Sequence, residues 1–236
     1  MEFRKGLAAG IPIGLGYLSV SFSFGILAVS EGLSWWQAVL ISLLNVTSAG
    51  QVAGVGIMTS AGGPIEMAVT TVVINLRYSL MGISISQKAD RTLNVPARLL
   101  VANFITDEIF GVTCGRKEDA SRNFMLGIAA VPVLGWTLGT LLGALLGSVL
   151  PSVVASSLAI GIYGMFVAIV VPKAEEDRTI LRVSLIAVAL SCLFWYVPVL
   201  KEHVSTGFAI IICAVVAALI GVFSGDHGKK EGEAHG

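Results

Sequence analysis

Arg77, Asp107 and Glu108 are the side chains here most able to do chemistry, because each lies near the middle of an otherwise apolar run, residues 67–85 for the arginine and 99–114 for the acidic pair. A fixed charge in hydrocarbon costs roughly 2.5–3.5 kcal/mol on insertion scales, so charges at such depth pair with one another, line a cavity or meet a solute. A guanidinium presents a planar fork of donors that matches a carboxylate, whether a solute's or a protein aspartate's. Asp107 and Glu108 are adjacent, about 100° apart on a helix, so one can pair with Arg77 while the other faces a cavity. A carboxyl at depth that gains and loses a proton is what gradient-driven transport needs. Two plainer readings stand beside this one: a purely structural ion pair, and a segment that ends early and leaves both carboxylates in interfacial water.

Other polar residues gather at similar depth. Asn45, Thr47, Ser48 and Gln51 lie in the run 36–59, where Gly50, Gly54 and Gly56 weaken regular helix and free backbone groups for a ligand. Asn45, Ser48, Gln51, Asn75 and Arg77 are the substrate-binding candidates, with an interhelical hydrogen-bond cluster as the structural alternative. Asn75 and Arg77 are two residues apart, about 200° on a helix, so they share a pocket only if the helix is irregular. Asp107 and Glu108 are the candidate proton-coupling groups. Asn103, one turn before Asp107, and Thr106 are candidate supports. Glu31, Glu66 and 175–177 fall at segment ends and read as solvated charge, Glu66 beside Pro64 being placed to cap its own helix dipole.

The elements that would position these groups are membrane helices. The chain has 236 residues, 55% apolar and only 13% charged, against about a quarter charged for a soluble domain. The expected fold is an all-α polytopic bundle of six to eight segments, one transport domain over 1–224, with a polar, disordered tail at 225–236. Apolar runs lie near 7–29, 36–59, 65–86, 97–114, 123–148, 153–172, 180–200 and 204–224. Lysine and arginine collect at the N-terminus, around 88–98, 116–122 and 173–182, and in the tail, while the loops near 30–35, 60–65 and 149–152 have none. Eight full crossings would violate that charge pattern. Six crossings satisfy it if the second and fourth runs are broken or turn back, with both termini cytoplasmic, and those two runs are also the most polar.

Gly135, Gly139, Gly143 and Gly147 recur every fourth residue and form a packing stripe for another helix or subunit. A weak repeat links residues 10–14 with 130–134, each centred on a proline and followed by an aromatic, Tyr17 or Trp136. Trp35, Trp36, Trp195 and Tyr196 flank apolar runs and read as interfacial belt residues. Cys114, Cys192 and Cys213 are scattered singly, and the one histidine outside the tail, His203, has no ligand-spaced neighbour. No metal or cofactor is expected. Net charge is zero with no basic face, so nucleic acid is not an expected partner. No pairing of nucleophile and base at depth suggests an intramembrane enzyme, and a lone arginine with an acidic pair suits a pore or a purely structural subunit less well than a carrier.

Residues 12–25, Ser48-Ala49-Gly50-Gln51, Asn75-Leu76-Arg77-Tyr78 followed by Leu80 and Gly82, and Thr106-Asp107-Glu108 together resemble the AzlC family of branched-chain amino acid permeases. The resemblance implies the large subunit of a two-component exporter in a prokaryotic cytoplasmic membrane. It implies a small hydrophobic AzlD-like partner, and proton-driven export of leucine, isoleucine, valine or related amino acids.

Overall fold

The computed structural model describes residues 1–60, 62–147 and 149–224, with backbone alone at some positions between 152 and 176. The expected tail at 225–236 lies outside the described residues. Among the described residues five helices are long and apolar enough to cross a bilayer: α1 (Glu2–Ser30), α4 (Pro64–Gln87), α7 (Arg122–Gly147), α10 (Arg178–Tyr196) and α12 (Thr206–Ser224). The two polar runs are each broken. The run 36–59 becomes α2 (Trp35–Leu44) and α3 (Ser48–Thr59), and 97–114 becomes α5 (Val95–Ala102) and α6 (Asp107–Gly115). Sequence chemistry accounts for the breaks. Asn45, Val46 and Thr47 are weak helix formers in succession; Asn45 leaves the helical region and Thr47 takes extended backbone. At the second break Thr106 caps α6, its hydroxyl accepting from the Ile109 amide at 3.4 Å. The run 153–172, expected as one helix, divides at Ile160 into α8 (Ser152–Ala159) and α9 (Gly161–Glu176), and α11 (Pro198–His203) precedes α12.

Contacts among the loops order the crossings. Arg116 Nη2 binds Glu2 Oε2 at 2.9 Å. The Lys88 ammonium donates to the carbonyls of Arg116 and, at 2.9 Å, Cys114. The Arg122 amide donates to Thr92 Oγ1 at 3.0 Å. The start of α1, the ends of α4 and α6 and the start of α7 therefore share one end of the bundle. At the other end, Glu66 near the start of α4 meets Ser205 and Gly207 at the start of α12. The last long helix runs antiparallel to α10, with Gly221 against Val183 at one end and Ala209 and Trp195 lining one cleft at the other. The chain thus passes from end to end six times, through α1, α4, α7, α8–α9, α10 and α12. The pairs α2–α3 and α5–α6 enter from opposite ends, break near mid-depth and return to the end they left. The order of these contacts fits the six-crossing arrangement that reconciles the charge pattern, with five of the six passes made by single helices long and apolar enough to span.

The centre of the bundle is the parallel pair α1 and α7. A Cβ added at Gly10 would lie 2.8 Å from the Ile128 carbonyl oxygen, one at Gly143 3.0 Å from Phe22 Cα, and one at Gly147 3.3 Å from Ile26 Cα. Gly135 packs on Gly14 and Gly139 on Leu18 and Ser21. The stripe at 135, 139, 143 and 147 therefore packs within the chain, against a helix carrying its own glycines at 6, 10, 14 and 25. The two proline-centred segments of the sequence echo lie side by side in this pair. The runs that follow them differ, since α2–α3 turns back and α8–α9 crosses. Outside this centre, α10 has no buried residue, and its leucines and valines form an apolar wall suited to acyl chains.

Candidate functional site

The two breaks face one cavity of about 320 Å³. Two half-helices start at its wall, α3 with Ser48 and Ala49 and α6 with Thr106, Asp107 and Glu108. α4 adds Ile74, Arg77 and Tyr78, and Tyr17, Val46, Trp136 and Val170 complete the lining.

The charged groups inside fall into two pairings. Arg77 Nη1 binds Asp107 Oδ2 at 2.8 Å, and Arg77 Nη2 donates to the Tyr78 hydroxyl at 3.2 Å, with the guanidinium 5.0 Å from the centre of that ring. Glu108 accepts a hydrogen bond from the Tyr17 hydroxyl. Both carboxylates occupy the first turn of α6, where the unpaired amides and the helix dipole favour negative charge. α3 also starts at the cavity, but with no side-chain cap. The first amides of a helix have no partner within it. Thr47 Oγ1, which could have capped α3, is buried without a hydrogen-bond partner, as is Asn75 Oδ1. A half-helix that ends uncapped at a cavity offers backbone donors to an anionic group of a solute.

Behind the cavity lies a buried polar chain. Trp136 Nε1 donates to Gln51 Oε1 at 3.0 Å, Gln51 Nε2 donates to Ser42 Oγ at 2.9 Å, and Ser42 shares a 2.7 Å hydrogen bond with Thr140. Gln51 is 1% exposed. The chain orients Trp136, whose ring meets Tyr17 edge-on at 5.2 Å. Replacing Gln51 with leucine leaves the indole N–H unpaired, so the variant is expected to lose about 1–3 kcal/mol of stability. Thermal unfolding of the detergent-solubilised protein, followed by tryptophan fluorescence, checks this.

Of the residues singled out from sequence, Ser48, Arg77, Thr106, Asp107 and Glu108 come together in the cavity wall. The substrate-binding candidate Gln51 is corrected to a supporting position, one layer behind the wall. Asn45 ends α2 and is not in the lining. Asn75 is turned from Arg77 by the helical angle and lies against α3 at Gly50. Asn103 does not share a helix face with Asp107, because the chain leaves α5 at residue 103 and α6 starts only at 107. Sequence reasoning passed over Tyr17, Tyr78 and Trp136 as site residues. The signal for two of them was present, since Tyr17 and Trp136 follow the two halves of the proline-centred echo. It also misjudged the exposure of Glu66, which is 6% exposed rather than solvated; the carboxylate sits in the first turn of α4, as expected of a dipole partner, and accepts from the start of α12 as well. Among the described residues no cluster of histidine, cysteine and carboxylate could hold a metal ion.

Comparison with known proteins finds other membrane proteins. An uncharacterized membrane protein of Archaeoglobus fulgidus is 32% identical over 191 residues, covering 80% of this chain and 84% of its own length. The inner membrane protein YgaZ of Escherichia coli is 29% identical over 142 residues, 58% of each chain. An uncharacterized membrane protein of Helicobacter pylori is 28% identical over 141 residues, covering 58% of this chain and 60% of its own. The matched regions thus span a little under two thirds of the bacterial relatives. No solved structure matches the chain. Residues 12–150 match the family described as AzlC protein, a stretch that holds every residue of the cavity lining except Val170. With more than half of its length and nearly all of its central cavity inside that match, the chain belongs to the AzlC family of multi-pass membrane proteins.

Proposed function

We propose that this chain is the large subunit of a proton-driven exporter of branched-chain or similar hydrophobic amino acids, working with a small AzlD-like membrane partner. The observation that carries the reading is the cavity where two half-helices meet around Arg77, Asp107 and Glu108. An amino acid presents a carboxylate, an ammonium and an apolar side chain. The uncapped start of α3 and the Arg77 guanidinium suit the carboxylate. Glu108 or Asp107 suits the ammonium, and Val46, Ile74, Trp136 and Val170 suit the side chain. At about 320 Å³ the cavity is at the small end of ligand sites, in keeping with a single amino acid. The end bearing Lys88, Arg116 and Arg122 is read as cytoplasmic by its positive charge, which puts the start of α1 and the end of α12 on that side.

Coupling follows from the acidic pair, because a proton or the substrate ammonium can neutralise the same carboxylate and the two therefore compete. Asp107→Asn and Glu108→Gln are expected to abolish gradient-driven export while each protein still reaches the membrane. Full export by both variants would remove the coupling role. The direct test is efflux of labelled leucine from vesicles, with and without the small partner and with an uncoupler. Uncoupler-sensitive efflux supports the reading, whereas conductance independent of amino acid identifies a pore, and product formation without transport an enzyme.

A further inference from the structure

A groove of about 450 Å³ runs between α4 and α5 and shares no lining residue with the central cavity. It follows α4 from Ser79 to Gln87, about 12 Å along the axis. Its floor is apolar and buried at Ile85, Val101 and Ile105, while its rims are exposed at Ile83 on α4 and Leu99 on α5, the latter by 72%. α5 turns Ala97 and Val101 onto the core and leaves its opposite side uncovered. The polar groups of the groove are sorted by depth. Ser86, Gln87 and Arg98 stand at the end of the bundle that carries the basic loops, with Ser79 further in. Arg98 Nε donates to the Leu93 carbonyl at 2.8 Å and Nη1 to Ser86 Oγ at 3.3 Å, which holds the guanidinium at the mouth. Among the described residues no carboxylate pairs with it. The nearby Asp90 carboxylate is taken by the amide and hydroxyl of Thr92.

We propose that the α4–α5 groove binds an anionic phospholipid, with its phosphate on Arg98 and an acyl chain along Ile83, Leu99 and Ile105. A fixed cation at the mouth, a hydroxyl beside it and an apolar slot behind them repeat the order of phosphate, glycerol ester and chain in such a lipid. The guanidinium fork suits a phosphate, and basic pockets between membrane helices at the cytoplasmic side are where anionic headgroups bind. Charge also decides between occupants. A second copy of the chain laid in the groove by an apolar helix face would cover Arg98 without bringing it a counter-charge, which is costly. An acyl chain in the slot bears on Ile105, one residue before the cap of α6, and so braces the second break from outside. The inference does not depend on what passes through the cavity.

The test is native mass spectrometry of the full chain released from detergent, with dioleoyl phosphatidylglycerol, dioleoyl phosphatidylcholine or glycerol phosphate added in turn. The wild type is expected to retain one phosphatidylglycerol at a concentration at least about tenfold below that needed for phosphatidylcholine, and no glycerol phosphate, which lacks the chains. Arg98→Gln, which keeps a donor for the Leu93 carbonyl but no charge, should weaken phosphatidylglycerol retention about tenfold and leave phosphatidylcholine unchanged. A Cβ at Gly82 meets nothing within 4 Å, so Gly82→Leu fills the groove without a clash and should weaken retention of phosphatidylglycerol by a similar factor. Lys117→Ala, at the same basic end but outside the groove, should match the wild type. Retention unchanged in both groove variants, equal loss in Lys117→Ala, or glycerol phosphate held as tightly as the lipid would each overturn the proposal. So would a lipid-free dimer that Gly82→Leu dissociates, which would make the groove a contact between two copies.

Discussion

Arg77→Ala is expected to reduce export of labelled leucine at least about 100-fold with the protein still present in the membrane, and Arg77→Lys to recover only a small part of that loss. The arginine makes two directed contacts from one planar group, to Asp107 at 2.8 Å and to Tyr78 at 3.2 Å. An ammonium replaces the charge but not the fork. A hydrogen bond to a charged partner is worth about 1.5–3 kcal/mol, and roughly 2.7 kcal/mol is a hundredfold in rate. Alanine also leaves Asp107 beside Glu108 with no basic side chain in the cavity lining to offset their like charges. The charge-neutral pair Arg77→Ala with Asp107→Ala separates structure from function. Protein abundance should return to the wild-type level while export stays absent. Wild-type export by the double variant would reduce the pair to a structural tie and remove the proposed site.

The second large effect concerns folding. Gly143→Ala is expected to destabilise the protein by about 3 kcal/mol and to cut the yield of folded material severely, read as loss of the main peak in detergent size-exclusion chromatography and a lowered Tm. The added methyl meets the backbone of Phe22, with the carbonyl carbon at 2.8 Å and Cα at 3.0 Å, so no side-chain rotamer can yield. α1 and α7 would have to separate, and every close approach along the seam would loosen with them. Gly16→Ala is the control. It lies on the same α1 with nothing near its Cβ position, so the ordinary helix preference for alanine should make it neutral or stabilising by up to about 1 kcal/mol. Equal behaviour of the two variants would show that the seam tolerates expansion.

How much of this was legible beforehand depended on whether a residue's neighbours lie near it in the chain. Arg77, Asp107 and Glu108 stood out because a charge in an apolar run needs a partner wherever the fold puts it. The broken runs were legible from polar and glycine content together with the distribution of lysine and arginine. The faces of the polar residues were not. Helical angles were carried from Asn103 to Asp107 across a break that ends the helix, so the inferred shared face does not exist. Gln51 looked available for a ligand because its partners, Ser42 and Trp136, belong to other helices. Glu66 looked solvated for the same reason, since its burial comes from Ser205 and Gly207, some 140 positions later. Half of the α1–α7 seam was visible as a four-residue spacing on α7. The matching glycines on α1 are spaced less evenly and gave no periodic signal.

That seam has a mechanical consequence. Backbones in contact along two parallel rods leave no slack for sliding or rotation, so α1 and α7 act as a fixed post within the bundle. If the cavity is to open first toward one face and then toward the other, the displacement must be taken up by the unwound stretches at 45–47 and 103–106, which carry no continuous helical ladder to resist bending. Tyr17 and Trp136, standing on the post, would then stay still while Ser48, Asp107 and Glu108 swing past them, and alternating access becomes the motion of two short levers against an immobile wall.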